Sequence, residues 1–214
     1  MPNKKRLYIL GAGRFARELE SWLDLVPPKR RNWDIAGFLY KNDKGDDPLE
    51  DVPSDYRILG DWDNYTFKKD DLCIFGFADP GLKRLAYARL SSKVSFYTFI
   101  APNCMIGKFN QVDEGVVICP NSIITTNVKI SKGVTINCGT QIGHDSRIGK
   151  FSSIMSNVDI SGDCSIGESV FIGTGATIIP GRRIDSGAKI GAGSVVVSHL
   201  KENARVFGNP SRKY

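Results

Sequence analysis

Two hydrophobic rhythms divide the chain. From Ile100 to Val196 an aliphatic residue returns every six positions, seventeen times without a slip. The position four residues further on is small or β-branched, as in Val116, Ser122, Thr140, Ser152 and Ala176. Glycine often follows the aliphatic, as in IGHDSR, IGKFSS and IGTGAT. A period of six fits no α-helix, whose apolar stripe returns every 3.6 residues. The Gly, Asn and Asp between hits interrupt long strands. One short strand and one turn per hexad, with three hexads to an 18-residue triangular coil, lets the aliphatics point inward and stack coil on coil. This register predicts a β-solenoid over 99–214.

Residues 1–98 follow other periods. KRLYIL reads as an apolar strand, and GAG as a turn. A helix follows, with Phe15, Leu19, Trp22 and Leu23 at helical spacing. DIAGFLY (34–40) and DLCIFGF (71–77) read as two further strands, and DPGLKRLAYARLSS (79–92) as a helix opened by Asp and Pro. Strands alternating with helices predict a small parallel α/β layer, a Rossmann-like nucleotide-binding domain.

The hexad pattern [LIV]-G-x-x-[STAV]-x resembles that of the hexapeptide-repeat acyltransferases. The resemblance covers 100–198 and continues into VFGNP (206–210), similar to the segment that closes the family's solenoid beside its acyl-CoA site. It implies a left-handed parallel β-helix and acyl transfer from a coenzyme A thioester.

Composition narrows the reading little. The net charge of +6 comes from scattered Lys and Arg, without an RNP, zinc-finger or helix-turn-helix pattern, so no nucleic-acid partner is expected and an anionic small molecule is. Five cysteines form no C-x-x-C pair and read as small buried hydrophobes. The opening MPNKKRLYILGAG lacks the apolar core of a signal peptide, and no apolar stretch approaches the ~20 residues of a membrane span. A soluble cytoplasmic protein is the expectation.

Gly11-Ala12-Gly13-Arg14-Phe15-Ala16 satisfies G-x-G-x-x-G/A between a strand and a helix, where backbone N–H groups can cradle phosphate. The second strand ends Leu39-Tyr40-Lys41, without the acidic residue that holds an adenosine ribose. A single nucleoside diphosphate suits the short domain better than a dinucleotide; a tight turn with no ligand is the plain alternative. Gly76-Phe77-Ala78-Asp79 follows the third strand at the ligand edge of a parallel sheet, and Asp79 fits ligand binding and helix capping equally.

With both parts joined, the chain resembles the bacterial nucleotide-sugar and sialic-acid acetyltransferases, among them the UDP-4-amino-sugar N-acetyltransferases of bacillosamine and perosamine pathways. The stretches ILGAGRFARE, IAGFLYKND, FGFADPGLKR and GHDSRIGKFSSI carry the likeness. It implies a homotrimer and a nucleotide-sugar acceptor whose nucleotide is held by the glycine loop (Gly11, Gly13, Arg14) and by the turn after the second strand (Tyr40, Lys41, Asp43), with Gly76, Asp79 and Ser153 as further acceptor-binding candidates. The family commonly has two acidic residues where this chain has Tyr40 and Lys41, with Asp43 slightly later. Some relatives have a second active-site histidine where this chain has Ser153.

His144 follows Ile142 by two residues, which places it in an outward turn, and 144 plus 18 brings Gly162 to the same corner one coil on. Acyl transfer needs a base for the attacking group and a donor for the oxyanion. An imidazole suits the first, a glycine N–H the second, and Asp145 can orient the imidazole. The resemblance implies those same roles, and an acetyl-CoA groove by Thr174 and Ala192 between subunits. No metal is expected, because an amine attacking a thioester needs no Lewis acid. A zinc-dependent β-helix hydratase would need three histidines, and the chain has two, His144 and His199. N-acetylation of a nucleotide-linked amino sugar is thus expected, with O-acetylation of a sugar hydroxyl as the alternative and a non-catalytic nucleotide-binding scaffold as a further one.

Overall fold

The computed structural model describes residues 4–41, 45 and 47–213. Strands β1 (Lys5–Leu10), β2 (Trp33–Leu39), β3 (Ile58–Gly60), β4 (Leu72–Phe75) and β5 (Ser95–Phe96) form one parallel sheet in the order β3-β2-β1-β4-β5. Helices α1 (Arg14–Asp24) and α2 (Pro80–Leu90) join β1 to β2 and β4 to β5.

The expected Rossmann-like domain is not formed. These two are the only α-helices among the described residues. The described parts of the β2–β3 and β3–β4 connections are turns and bends, so the helix that a doubly wound fold places after each strand is missing there. The cause is visible between 41 and 70, where Asp, Lys, Gly and Pro crowd out any 3.6-residue apolar stripe. The result is a parallel sheet with two helices, laid as one layer against the part that dominates the chain.

That part is the left-handed-type solenoid expected from the hexads. Two-residue rungs stack in parallel on three faces, and those between residues 99 and 196 pair with residues 18 positions away. The aliphatics from Ile118 to Val196 are buried in one continuous core, and the small residues four positions later fill the gaps between coils. The first coil differs: Ile100 and Ile106 are each 38% exposed, because no coil precedes them.

Between rungs the chain turns through a left-handed residue, where a glycine meets no steric penalty and an Asn or Asp meets a small one. From 109 to 193 every sixth residue has positive φ. All are Gly, Asn, Asp or Ser except Phe109 and Phe151. Phe151 is buried and packs on Tyr87 of α2, ring centres 5.4 Å apart.

The N-terminal layer covers one solenoid face. Phe99, Ala101, Val117 and Cys119 of that face share a core with β1 and α1. Lys83 of α2 is wholly buried, and its Nζ donates to Thr135 Oγ1 and to the Ser152 carbonyl, both at 3.0 Å. Thr135 and Ser152 are the two ends of a single coil, which Lys83 therefore clasps. Burial pushes its amine well below the ordinary lysine range, against a smaller opposing pull from Asp79. At the layer's edge Tyr87 donates to Glu114 at 2.6 Å, and Lys132 adds a contact of 3.1 Å. These hold the Glu114 carboxyl below its usual range, the Tyr87 hydrogen bond contributing most.

Candidate functional site

A cavity of about 430 Å³ opens at the carboxyl edge of the sheet. Gly11, Gly13 and Arg14 form one side, Gly76, Phe77 and Ala78 another, and Tyr40 and Lys41 also line it. Trp62 completes an aromatic wall with Phe15, Tyr40 and Phe77. Helix α1 presents its N-terminus there: Gly13 supplies no side-chain cap, and the first turn carries no acidic residue. Gly13 and Arg14 of that terminus both line the cavity, so its uncapped N–H groups and positive dipole end stand at the cavity's edge. Lys41 Nζ lies 3.5 Å from Asp63 Oδ2, which also pairs with Arg89.

Gly76 is required by space. A Cβ there would sit 2.7 Å from the Leu10 carbonyl oxygen and 2.8 Å from Ala16 Cβ, so any side chain would separate α1 from β4. Asp79 resolves as a cap: its Oδ1 accepts from Leu82 N at 2.7 Å, and it does not line the cavity. Asp43 lies outside the described residues. Ser153 is buried in the covered face, and its hydroxyl donates to the Ala78 carbonyl at 2.5 Å, tying the cavity wall to the solenoid.

His144 stands at the corner between the two uncovered faces, after the rung Gln141–Ile142 and before Arg147–Ile148. Its Nδ1 is 2.8 Å from Asp145 Oδ2. Asp145 Oδ1 accepts from Asn127 Nδ2 at 2.6 Å, one coil back on the same corner. That bond, followed by the imidazole, holds the Asp145 carboxyl below its usual range. Gly162 carries the other side: a Cβ built on it would lie 2.5 Å from both Cε1 and Nε2 of His144. The ring rests against bare backbone, and the Gly162 N–H donates to no backbone carbonyl among the described residues. Asp163 adds a second carboxylate, and the donor atoms of His144, Asp145 and Asp163 lie within 4.8 Å of one another, all exposed.

Thr174 and Ala192 stack one coil apart at a different corner, where the covered face meets the face that contains Gln141–Ile142. The structure thus brings together Gly11, Gly13, Arg14, Tyr40, Lys41 and Gly76 in one cavity, and His144, Asp145 and Gly162 at one corner. Within a single chain the two groups lie on opposite sides of the triangle. Sequence reasoning missed Trp62, Leu82 and Asn127, because their contacts come from segments distant in the chain. Phe77 was visible beside Gly76 but had no chemistry to recommend it.

The family model for the bacterial transferase hexapeptide (six repeats) matches residues 163–198. No curated protein matches the chain by sequence. Among solved structures, the acetyltransferase domain of PglB from Neisseria gonorrhoeae is similar over 99% of this chain and 100% of that one, with a TM-score of 0.84 and 20% identity. PerB from Caulobacter crescentus, solved with CoA and GDP-perosamine, is similar over 97% of this chain and 96% of its own, with a TM-score of 0.85 and 22% identity. WeeI from Acinetobacter baumannii covers 99% and 100%, with a TM-score of 0.83 and 23% identity. The likeness is one of fold, and it takes in the N-terminal layer as well as the solenoid.

Proposed function

The chain carries the bacterial transferase hexapeptide repeat on a fold shared with amino-sugar acetyltransferases, and from that premise we propose that it is an acetyltransferase. It moves an acetyl group from acetyl-CoA to the amine of a nucleotide-linked amino sugar. The observation that carries this reading is the contact of the His144 imidazole with the bare backbone of Gly162. The amine nitrogen attacks the thioester carbonyl carbon while His144 accepts its proton, oriented by Asp145 through Nδ1. The Gly162 N–H meets the oxyanion. As the intermediate collapses, the C–S bond breaks and CoA leaves as the thiol, carrying the proton from His144.

In this reading residues 1–98 bind the acceptor and 99–214 perform acyl transfer. The α1 N-terminus and Arg14 favour a diphosphate, and the aromatic wall favours a nucleoside. Tyr40 and Lys41 belong to this pocket. Acetyl-CoA runs by Thr174 and Ala192. The separation of the cavity from His144 within one chain supports a cyclic assembly, a homotrimer, in which one copy's His144 corner faces its neighbour's cavity. The reading agrees with PerB having been solved with CoA and GDP-perosamine, and a PglB domain with acetyl coenzyme A.

The test is thiol release from acetyl-CoA against UDP-, GDP- and dTDP-linked sugars bearing 3-amino, 4-amino or only hydroxyl groups. Turnover confined to amino sugars is expected. Turnover confined to hydroxyl acceptors would make the protein an O-acetyltransferase, and binding of acetyl-CoA without turnover would make it a scaffold.

A further inference from the structure

The two histidines of the chain are held as opposite tautomers. His199 Nδ1 lies 2.9 Å from the Arg183 backbone N, which can only donate, so the neutral ring carries its proton on Nε2. His144 Nδ1 lies 2.8 Å from Asp145 Oδ2. An ionised carboxylate can only accept, so the neutral His144 ring carries its proton on Nδ1 and keeps its lone pair on Nε2, the atom against Gly162. That state depends on Asp145 staying charged and staying turned toward the ring. Two features work against it. Asp163 brings a second carboxylate, its donor atom within 4.8 Å of those of His144 and Asp145, and like charges so close favour protonating one of them. Asp145 is also exposed, and an exposed carboxyl swings unless something binds its other oxygen. Asn127 binds it: Nδ2 donates to Asp145 Oδ1 at 2.6 Å.

We propose that Asn127 is a positioning residue for His144: its amide fastens Asp145, so that the imidazole proton stays on Nδ1 and Nε2 stays open as the base. The catalytic part rests on the reading above, in which His144 takes the acceptor's proton. Asn127 sits one coil back on the same corner, where its own N donates to the Lys108 carbonyl at 3.1 Å. Its amide contributes most to holding the Asp145 carboxyl below the usual range, ahead of the imidazole. The plainer role for Asn127 is to fill a left-handed turn, with φ of 56°. Asn121 fills such a turn, with φ of 61°, and its Oδ1 accepts from Asn103 Nδ2 at 2.8 Å, neutral group to neutral group. Asn127 differs in what it reaches, a carboxylate whose other oxygen holds an imidazole. A hydrogen bond to a charged group is the stronger kind. Glycine, which fills the equivalent turns at Gly115, Gly133 and Gly175, would provide none.

The test uses Asn127→Gly, which keeps the turn and removes the amide. Because the chain has two histidines, nitrogen NMR of the isotope-labelled protein, recorded above the imidazole titration, reads each ring separately. The wild type should show His144 as the Nδ1–H form and His199 as the Nε2–H form. In Asn127→Gly, His144 should become a mixture of both forms while His199 is unchanged. The kcat for acetyl transfer should fall about tenfold, the scale of one hydrogen bond to a charged group, with the acceptor KM and the thermal midpoint little changed. Asn121→Gly, the same exchange at the comparison turn, should alter neither the His144 ring nor kcat. In an Asp145→Asn background, Asn127→Gly should lower kcat no further, because the amide acts through that carboxylate. A His144 ring that stays wholly Nδ1–H in Asn127→Gly, or kcat at the wild-type level, would overturn the proposal. So would a wild-type His144 in the Nε2–H form, or the same losses in Asn121→Gly. The NMR measurement needs no substrate. If the wild type transfers no acetyl group, the enzymatic reading fails, and the response of the ring alone decides whether Asn127 positions it.

Discussion

The solenoid and the layer that covers it solve the same problem in opposite ways. The solenoid core repeats one solution: an aliphatic at each rung and a small residue between coils, with each coil supported by its two neighbours. The N-terminal layer has no repeat. Its core combines Trp33, Tyr8, Phe38 and Phe75 with leucines and isoleucines, held by packing particular to each position. The repeated part presents a stiff edge on which one histidine can be placed reproducibly. The irregular part can shape a cavity, because no register constrains its turns. In the proposed division of work, chemistry therefore sits on the solenoid and recognition on the layer.

The largest effect should come from separating those two tasks. His144→Ala is expected to lower kcat by about 10²–10⁴-fold, while calorimetry finds nucleotide affinity unchanged. Arg14→Ala should do the converse, raising the acceptor KM with a small change in kcat. Equal losses of kcat in both would remove the division. A second pair of substitutions probes the stack. Ile154→Ala, buried between coils, should cost about 2–5 kcal/mol in urea unfolding. Ile106→Ala, in the uncovered first coil, should cost well under half of that. Equal costs would mean that burial by neighbouring coils does not set rung stability.

The smallest effect concerns the joint between the parts, and its sign is definite. Burial disfavours the Lys83 ammonium, so between its lowered folded-state pKa and the ordinary value near 10.4 folding releases a proton. Stability from this group is greatest above the ordinary value and declines as pH falls toward the folded one. Lys83→Met lacks that slope. Urea midpoints compared between pH 7 and 10 should therefore shift progressively in favour of the wild type as pH rises, and a flat or opposite trend would contradict a buried amine.

The same contrast explains what could be read from the chain. The solenoid was legible from Ile100 to Val196 because its period is its structure, and the corner shared by His144 and Gly162 followed by counting eighteen. The elements around Gly11 and Pro80 were legible from local turn and capping chemistry. The Rossmann-like expectation failed in the stretch from Lys41 to Asp70, where nothing periodic announced either the short β3 or the absence of helices among its described residues. Trp62 comes from that stretch, which is why a wall of the cavity went unseen. Nothing in KRLAYAR marks Lys83 for burial, since its partners Thr135 and Ser152 lie 52 and 69 residues away. Asp79 could be read two ways, and only its bond to Leu82 N chose the cap.

The unbroken register of the coils also makes the solenoid a ruler graduated in single rungs. Adding or removing one 18-residue coil between the covered rungs and His144 would leave the cross-section unchanged, and would move the histidine along the axis by a single step of about 4.8 Å. In the proposed division of work, the distance from that histidine to the recognition layer is adjustable only in whole graduations. A lineage changing its substrate by this route would do so through duplication or loss of entire coils rather than by drift at single positions.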